Sequence, residues 1–292
     1  MAGQPILNEE DAASIDAEYA DRMRSLLSVD DMVRELHAVL EAAGEWDNTF
    51  VIFSSAHLPR LVLCQPPLPL RYYCPDWRAL LLPGDHGYSL GEYRLPTHKM
   101  QVYENTLRVP FFVKGPGIEP GLQLPIIAGF VDLCPTIVEL VSGTAPSDTD
   151  GRSFAPFLVP ALPKPAKPWK TVHLTTYQSI NKQQCLWSEN GTNPCGRHPV
   201  DARANTHSSI RIQNATTNLL YAEFADVYDP KAWNFEADIE FFALFDMDLD
   251  PFQLHNVYSG ASAARKAELH EELLRANHCR GQGGVPGRPA CP

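Results

Sequence analysis

The chain has 292 residues, 44% hydrophobic and 20% charged, a composition that excludes disorder as the default and gives one large or two small domains a real core. With 24 Lys and Arg against 35 Asp and Glu the formal charge is −11, so wrapping a nucleic-acid backbone would be electrostatically uphill and nucleic acid is not expected as a partner. No uncharged apolar run approaches the roughly eighteen residues that a membrane-spanning helix needs, so no membrane span is expected.

The opening residues carry Glu9, Glu10 and Asp11 where a signal peptide carries base, and no apolar h-region follows, so the chain as written has no export address. Two features point the other way. Asn190-Gly-Thr and Asn214-Ala-Thr are glycosylation sequons, and seven cysteines lie mostly in close pairs, as in an oxidising compartment. The conflict is resolved if Met1 is not the start of the natural protein.

From Glu9 to Trp46, Ile15, Tyr19, Met23, Leu26 and Leu27, then Val29, Met32, Val33, Leu36, Val39 and Leu40, recur at threes and fours and predict helix with a face turned to a core. Ser28 and Asp31 either cap a second helix or lie within a continuous one, and Gly44 ends it. Asn48 to Ser55 then reads as a strand apolar at consecutive positions, covered on both faces as parallel strands are. Helix, tight turn and buried strand form half of an α/β crossover unit, whose ligands gather beyond the strand's carboxyl end. Function is therefore expected just after Ser55. What comes first is residues 56–84, with six of the 26 prolines, eight leucines, no Glu, no Lys and no period, which reads as an insertion.

Leu107 to Gly117 predicts another strand closed by Gly-Pro-Gly, with Pro110 placing its start near an edge or bulge. Asp132 to Val141 predicts a buried helix with Pro135 in its first turn. Prolines 156, 160, 163, 165 and 168 mark a boundary, giving a first domain over 1–160, a linker over 161–170 and a second domain over 171–292. In the second domain four segments, Thr171 to Tyr177, Ser208 to Gln213, Asn218 to Glu223 and Glu240 to Asp246, lean to β structure before a last helix from about Ala261 to Ala276. A small antiparallel α+β lobe is the expectation.

The chemistry-bearing segment is Asp85-His86-Gly87-Tyr88-Ser89-Leu90-Gly91-Glu92, where a carboxylate and an imidazole sit side by side on a glycine-flanked loop able to converge on one ion. Taken alone, Asp-His-Gly also fits an ordinary surface turn. Lys99 adds a compact cation suited to an anionic oxygen, though a lone lysine is usually solvated, and Arg108 is expected to pair with Glu104 or a nearby carboxylate.

That loop, together with Lys99, Tyr103-Glu104, Arg108-Val-Pro-Phe, Gly115-Pro-Gly-Ile, Asp132-Leu-Cys-Pro-Thr-Ile-Val-Glu-Leu and Asp150-Gly-Arg-Ser-Phe-Ala-Pro-Phe-Leu, resembles the second half of a type I sulfatase. Asn214-Ala-Thr-Thr-Asn-Leu-Leu-Tyr and Asp248-Leu-Asp-Pro-Phe-Gln-Leu-His-Asn make it most similar to N-acetylglucosamine-6-sulfatases and related arylsulfatases, over roughly residues 15–55 and 85–280. The resemblance implies an α/β fold: a partial alkaline-phosphatase-like domain followed by the small antiparallel α+β lobe. It implies a calcium ion with Asp85 as a ligand, His86 as a second ligand or a sulfate contact, and Lys99 contacting sulfate. A hard dication and an ammonium would both stabilise charge gathering on sulfuryl oxygens. The implied substrates are sulfate esters of sugars, including glycosaminoglycan-like polysaccharides, or of aryl groups, and the implied location is the secretory pathway, extracellular or lysosomal.

Other family features are missing. The family's nucleophile is a formylglycine made from Cys within Cys-x-Pro/Ala-x-Arg. Cys64-Gln-Pro-Pro-Leu lacks the Arg, and Cys74-Pro-Asp-Trp-Arg has Asp in place of Pro or Ala. The paired Asp ligands of the family are absent too, because Asp30-Asp31 sits on a helix before the wrong strand. The expectation is a chain that does not turn over sulfate esters by itself, with residues 56–84 compatible with translated intervening sequence or a true loop insertion. The rival readings are a phosphate or phosphonate ester hydrolase of the same superfamily and a non-catalytic remnant that binds sulfated glycans.

Smaller signals are weaker. Cys185 with Cys195, and Cys279 with Cys291, each stand at disulfide spacing or as free thiols. Asp246-Met-Asp248-Leu-Asp250 lacks the Gly and Glu of a calcium loop and is expected to be a turn. His98, His198 and His255 show no metal-ligand spacing.

Overall fold

A computed structural model describes residues 9–55, 78–84, 89–94, 101–165, 167–178, 203–225, 239–284, 286 and 288–291, without the side chains of 11, 55, 78–84, 94 and 203. Helix α1 (Glu9–Ala42) is continuous, so Ser28 caps no second helix. It ends as Gly44 enters the left-handed region (φ 69°), where the Gly44 N–H donates to the Glu41 carbonyl and the Glu45 N–H to that of Leu40, both at 2.9 Å. The expectation that its apolar face meets a core fails. Ile15 is buried, but Tyr19, Met23, Leu26, Leu27, Met32, Val33 and Val39 are exposed, Leu27 by 64% and Val39 by 65%. Periodicity decides which side chains share a face; it does not supply the element that covers them.

Strand β1 (Thr49–Ser55) is the centre of a three-stranded sheet, parallel to β2 (Arg78–Gly84) on one side and antiparallel to β3 (Phe111–Lys114) on the other. Residues 78–84 thus form a strand that the patternless composition of 56–84 did not predict, and its register runs from Thr49 against Arg78 to Ser55 against Gly84. Strand β3 lies at the sheet edge, and the Ser54 hydroxyl donates to the Pro110 carbonyl at 3.2 Å.

After the single turn α2 (Glu104–Leu107), helix α3 (Phe130–Ser142) begins two residues earlier than expected. Asp132 is its third residue and accepts from the Gly129 N–H at 2.8 Å, fixing the start. Pro135 therefore falls in the second turn rather than the first, and its missing N–H leaves the Val131 carbonyl without that helical partner. Gly151 approaches there so closely that a Cβ on it would lie 1.8 Å from the Val131 oxygen, so the Asp-Gly-Arg-Ser segment needs its glycine. The short helix α4 (Ala155–Leu158) follows, and Phe50, Leu140, Phe154, Ala155 and Leu158 form one core cluster with Trp169 against it.

Strands β4 (Val172–Tyr177), β5 (His207–Gln213), β6 (Asn218–Ala225) and β7 (Ile239–Asp246) make an antiparallel sheet in chain order, followed by α5 (Ala263–His278). The period-two pattern gives this sheet two faces. Ile210, Tyr221 and Leu244 pack with Leu269 and Leu273 of α5, whereas Leu220, Ala222 and Phe245 pack with Val102 and Tyr103. Both faces are covered, the second by the segment that leads into α2. Tyr177, His207, Phe224 and Phe241 are successive register partners and form an aromatic row across all four strands, with centroid spacings of 5.6, 5.3 and 5.5 Å. A disulfide joins Cys279 to Cys291 (Cα to Cα 4.7 Å), while Cys185 and Cys195 lie outside the described residues. Cys134 is also disulfide-bonded.

Candidate active-site frame

Asp85, His86 and Lys99, and the sequon residue Asn190, lie outside the described residues. The structure describes chain segments that adjoin the first three in sequence. Gly84, the last residue of β2, is the register partner of Ser55, the last residue of β1, so Asp85 follows directly on the carboxyl ends of two parallel strands. That is where ligands collect in α/β sheets.

Beyond the loop, Ser89 is fully buried and its Oγ has no hydrogen-bond partner among the described residues. The Leu90 N–H donates to the Glu92 carboxylate at 2.5 Å. Tyr93 holds a left-handed backbone (φ 58°), and its ring lies 5.0 Å from that of Tyr103. Burial pushes the Tyr103 phenol up to about 12, with Tyr93 adding to the effect. The Tyr93 phenol is also raised, by burial first and then by the charges of Glu92 and Asp250. Both phenols therefore stay neutral donors at neutral pH.

The C-terminal lobe holds this segment from below. Gln253 is fully buried in a left-handed backbone (φ 55°), and its Oε1 accepts from the Glu104 N–H at 2.7 Å, while its Nε2 has no partner among the described residues. A non-glycine residue in this region costs roughly 1–3 kcal/mol, so the fold must over-determine it. Arg211 donates from Nε to Glu104 Oε1 at 2.9 Å, with the two side chains 15% and 23% exposed. Arg108 reaches the other Glu104 oxygen only at 3.9 Å and is 83% exposed. The expected Arg108 pairing is present, but Arg211 and Gln253, more than a hundred residues away, make the tighter contacts. No sequence spacing marks them; Gln253 appears only within the Asp250-Pro-Phe-Gln run.

A second polar centre lies behind the sheet. Asp132, fully buried, meets Lys170 Nζ at 2.6 Å and accepts from the Arg152 N–H at 2.9 Å. Beside it, His173 is held neutral, its pKa lowered to about 4 by burial and by the Lys170 ammonium. Every oxygen of Asp132 is thus engaged in holding the fold.

Among the described residues no group of three or more His, Cys, Asp or Glu side chains is placed to hold a metal ion. Asp246 and Asp250 behave as turn residues: Asp246 accepts from the N–H groups of Asp248 and Leu249, and Asp250 from those of Leu254 and His255. His255 is 80% exposed, 3.7 Å from Asp250. Asn214 is exposed in the turn between β5 and β6, where its Oδ1 accepts from both the N–H and the hydroxyl of Thr216, at 2.9 and 3.1 Å.

No protein-family model matches the chain. Its sequence is similar to the N-acetylglucosamine-6-sulfatase of Capra hircus, 28% identical over 274 residues, covering 91% of this chain and 41% of that protein. It is also similar to an arylsulfatase of Volvox carteri (25% identical, 95% and 37% covered) and to an extracellular sulfatase SULF-1 homolog of Drosophila melanogaster (31% identical, 47% and 10% covered). The chain thus spans about two-fifths of the first of these relatives. In fold it is similar to a protein solved with its substrate D-glucosamine-2-N,6-O-disulfate (TM-score 0.54, 24% identity, 85% and 38% covered). It is also similar to a phosphonate monoester hydrolase from Silicibacter pomeroyi (TM-score 0.52, 23% identity, 84% and 37% covered). The architecture is α/β, a partial alkaline-phosphatase-like domain followed by an antiparallel α+β lobe. In sequence the chain is thus similar to N-acetylglucosamine-6-sulfatases and arylsulfatases over most of its own length, and in fold to the solved structures named above.

Proposed function

We propose that this chain carries the sulfate-binding loop and C-terminal lobe of a sulfuric ester hydrolase acting on sulfated sugars, including glycosaminoglycan-like polysaccharides, or on aryl sulfates. The observation that carries this reading is the similarity to N-acetylglucosamine-6-sulfatases over 91% of the chain. In this reading Lys99 neutralises a sulfuryl oxygen and His86 either ligates the metal or contacts the sulfate. Asp85 supplies a hard oxygen to the calcium ion.

The residues present do not complete a calcium shell. Calcium takes about six to eight oxygen ligands, and Asp85 with His86 gives one carboxylate and one nitrogen. The described residues contain no further cluster that could hold a metal. No catalytic step is therefore assigned to the ion. Nor do Cys64 or Cys74 lie in an intact formylglycine motif, so the 292-residue chain is proposed not to hydrolyse sulfate esters alone. The domain division at 160 and 171 is part of the same proposal, as is residence in the secretory pathway, extracellular or lysosomal. The Cys279–Cys291 disulfide and the exposed Asn214 sequon support that location.

The rival phosphonate or phosphate ester reading draws on the fold similarity to a phosphonate monoester hydrolase. Hydrolysis of 4-nitrophenyl sulfate and 4-nitrophenyl phosphate tests both, using the chain and a version extended upstream with a Cys-x-Pro-Ser-Arg segment. The proposal expects no turnover by the chain and sulfate-selective, chelator-sensitive turnover by the extended form, lost in Lys99→Ala. Chelator-insensitive phosphate turnover would reject it.

A further inference from the structure

The C-terminal tail folds back on α5. Cys279, just past the helix, is joined to Cys291, and the turn between them is pinned by the Arg280 N–H on the Pro289 carbonyl and the Cys291 N–H on the Gly281 carbonyl, both at 2.9 Å. The same hairpin is anchored to the first lobe, where the Gly281 N–H donates to Asp150 at 2.6 Å and Gln282 donates to the Gly151 carbonyl at 2.9 Å. Between the hairpin and the last turn of α5 lies a cavity of about 480 Å³, lined by Leu274, Arg275, Asn277, His278, Arg288 and Pro289.

Among the described residues the lining holds two guanidinium groups and an imidazole and no carboxylate, in a chain whose net charge is −11. Arg275 is paired with Glu272. Arg275 and His278 also have a reason to be there without any ligand, because cations suit the negative end of a helix. Arg288 has no such reason. It comes from the hairpin, is exposed, and has no ion-pair partner among the described residues. The disulfide holds it at the cavity. The Asn277 amide is fixed by reciprocal hydrogen bonds with the Ser208 hydroxyl at 2.9 and 3.1 Å, and Leu274 and Pro289 supply an apolar wall. Planar cations, an oriented amide and a small apolar wall match a sugar ring bearing an anionic substituent.

We propose that this cleft, built from residues other than those of the Asp85 to Lys99 loop, is a second binding site for a sulfated saccharide. The choice of sulfate as the anionic group rests on the proposed function; the existence of an anion-saccharide site does not.

The test is calorimetric titration of the full 292-residue chain with a heparin-derived tetrasaccharide, with unsulfated N,N′-diacetylchitobiose and with inorganic sulfate. Saturable binding of the tetrasaccharide is expected, weakening as salt is raised, with no binding of chitobiose and none of sulfate at the same concentration. Arg288→Gln should weaken binding about tenfold or more, the size expected for one charge-assisted contact, Arg288→Lys should restore part of it, and the Arg288-dependent binding should persist in a Lys99→Ala background. Retained far-UV circular dichroism in each variant keeps the comparison valid, and Arg275→Gln provides a second arm should Arg288→Gln not fold. Binding unaffected by either arginine variant overturns the inference, as does equal binding of inorganic sulfate, which would mean an adventitious ion only. Binding lost in Lys99→Ala alone would overturn it while leaving the proposed sulfate loop standing. The reverse pattern would leave the cleft standing without support for the loop.

Discussion

Arg211 of β5 and Glu104 at the start of α2 are 107 residues apart and meet at 2.9 Å, joining the C-terminal sheet to the segment that follows Lys99. The guanidinium is further engaged by the Ile212 and Leu219 carbonyls, at 2.9 and 3.2 Å, and by Asn218 at 2.5 Å. Removing Glu104 leaves those bonds but strands part of the charge in a half-buried place. Glu104→Ala is expected to cost roughly 2–3 kcal/mol, between the exposed and fully buried limits for ion pairs. Urea denaturation of the single variants and of Glu104→Ala with Arg211→Met would measure it, and the double variant should cost less than the sum. Strict additivity would show that the pair is not coupled.

A larger loss is expected at Asp132. Its carboxylate is fully buried, caps α3, accepts from Arg152 and faces Lys170, which is itself 6% exposed. Asp132→Asn leaves the ammonium without a counter-charge, and breaking a buried pair from one side costs about 3–5 kcal/mol. Thermal unfolding should fall well below that of Lys170→Met with Asp132→Asn, where both charges are gone. Equal melting of the single and double variants would contradict this account.

Two buried histidines set an acid limit. His207, 1% exposed, has its pKa lowered to about 4 by burial, against the opposing Asn205 carbonyl bond, and His173 is lowered to about 4 as described. The folded state keeps both neutral while the unfolded chain protonates them near the reference value of about 6.5. Stability is therefore fully present above that pH and lost as pH falls towards about 4, with a slope of up to about 1.4 kcal/mol per pH unit for each histidine. Denaturation midpoints between pH 7 and 5, a window above most carboxylate titrations, should decline, and His207→Gln should flatten the decline. Constant stability across that window would refute the assignment.

Reduction of the Cys279–Cys291 bond, or Cys279→Ser with Cys291→Ser, should loosen the tail. Closing a loop of this size stabilises by about 3 kcal/mol in the chain-entropy account. The hydrogen bonds from Gly281 and Gln282 to the Asp150-Gly151 turn should lose protection in amide exchange before α5 does. Unchanged exchange at Gly281 would mean that the hairpin holds itself.

Residues 56–84 can be tested at the transcript. Because Ser55 and Gly84 are register partners, the chain leaves this segment beside the point where it entered. The proposal of translated intervening sequence expects mature messages in which codon 55 joins codon 85. Retention of the segment in every message would leave a genuine loop insertion.

Elements with local signals were legible in the sequence. The strands β4 to β7 and α5 fall within two residues of their expected limits, because strand alternation and helical periodicity are short-range patterns. The start of α3 was missed because Asp132 caps from inside the helix, at its third residue. Strand β2 was missed because its pairing with β1, and not its proline-bearing composition, makes it a strand. Of the site, the loop residues were named from a resemblance, while Arg211, Gln253 and Lys170 were invisible: each acts through a partner far along the chain, and no local pattern encodes that distance.

Helix α1 leaves a lengthwise ribbon of wetted methionine, leucine, valine and tyrosine side chains along most of its 34 residues. Such a ribbon makes the isolated polypeptide sticky. Its yield and shelf life in a tube would depend on dilution and on mild detergent well before they depended on the integrity of the two sheets.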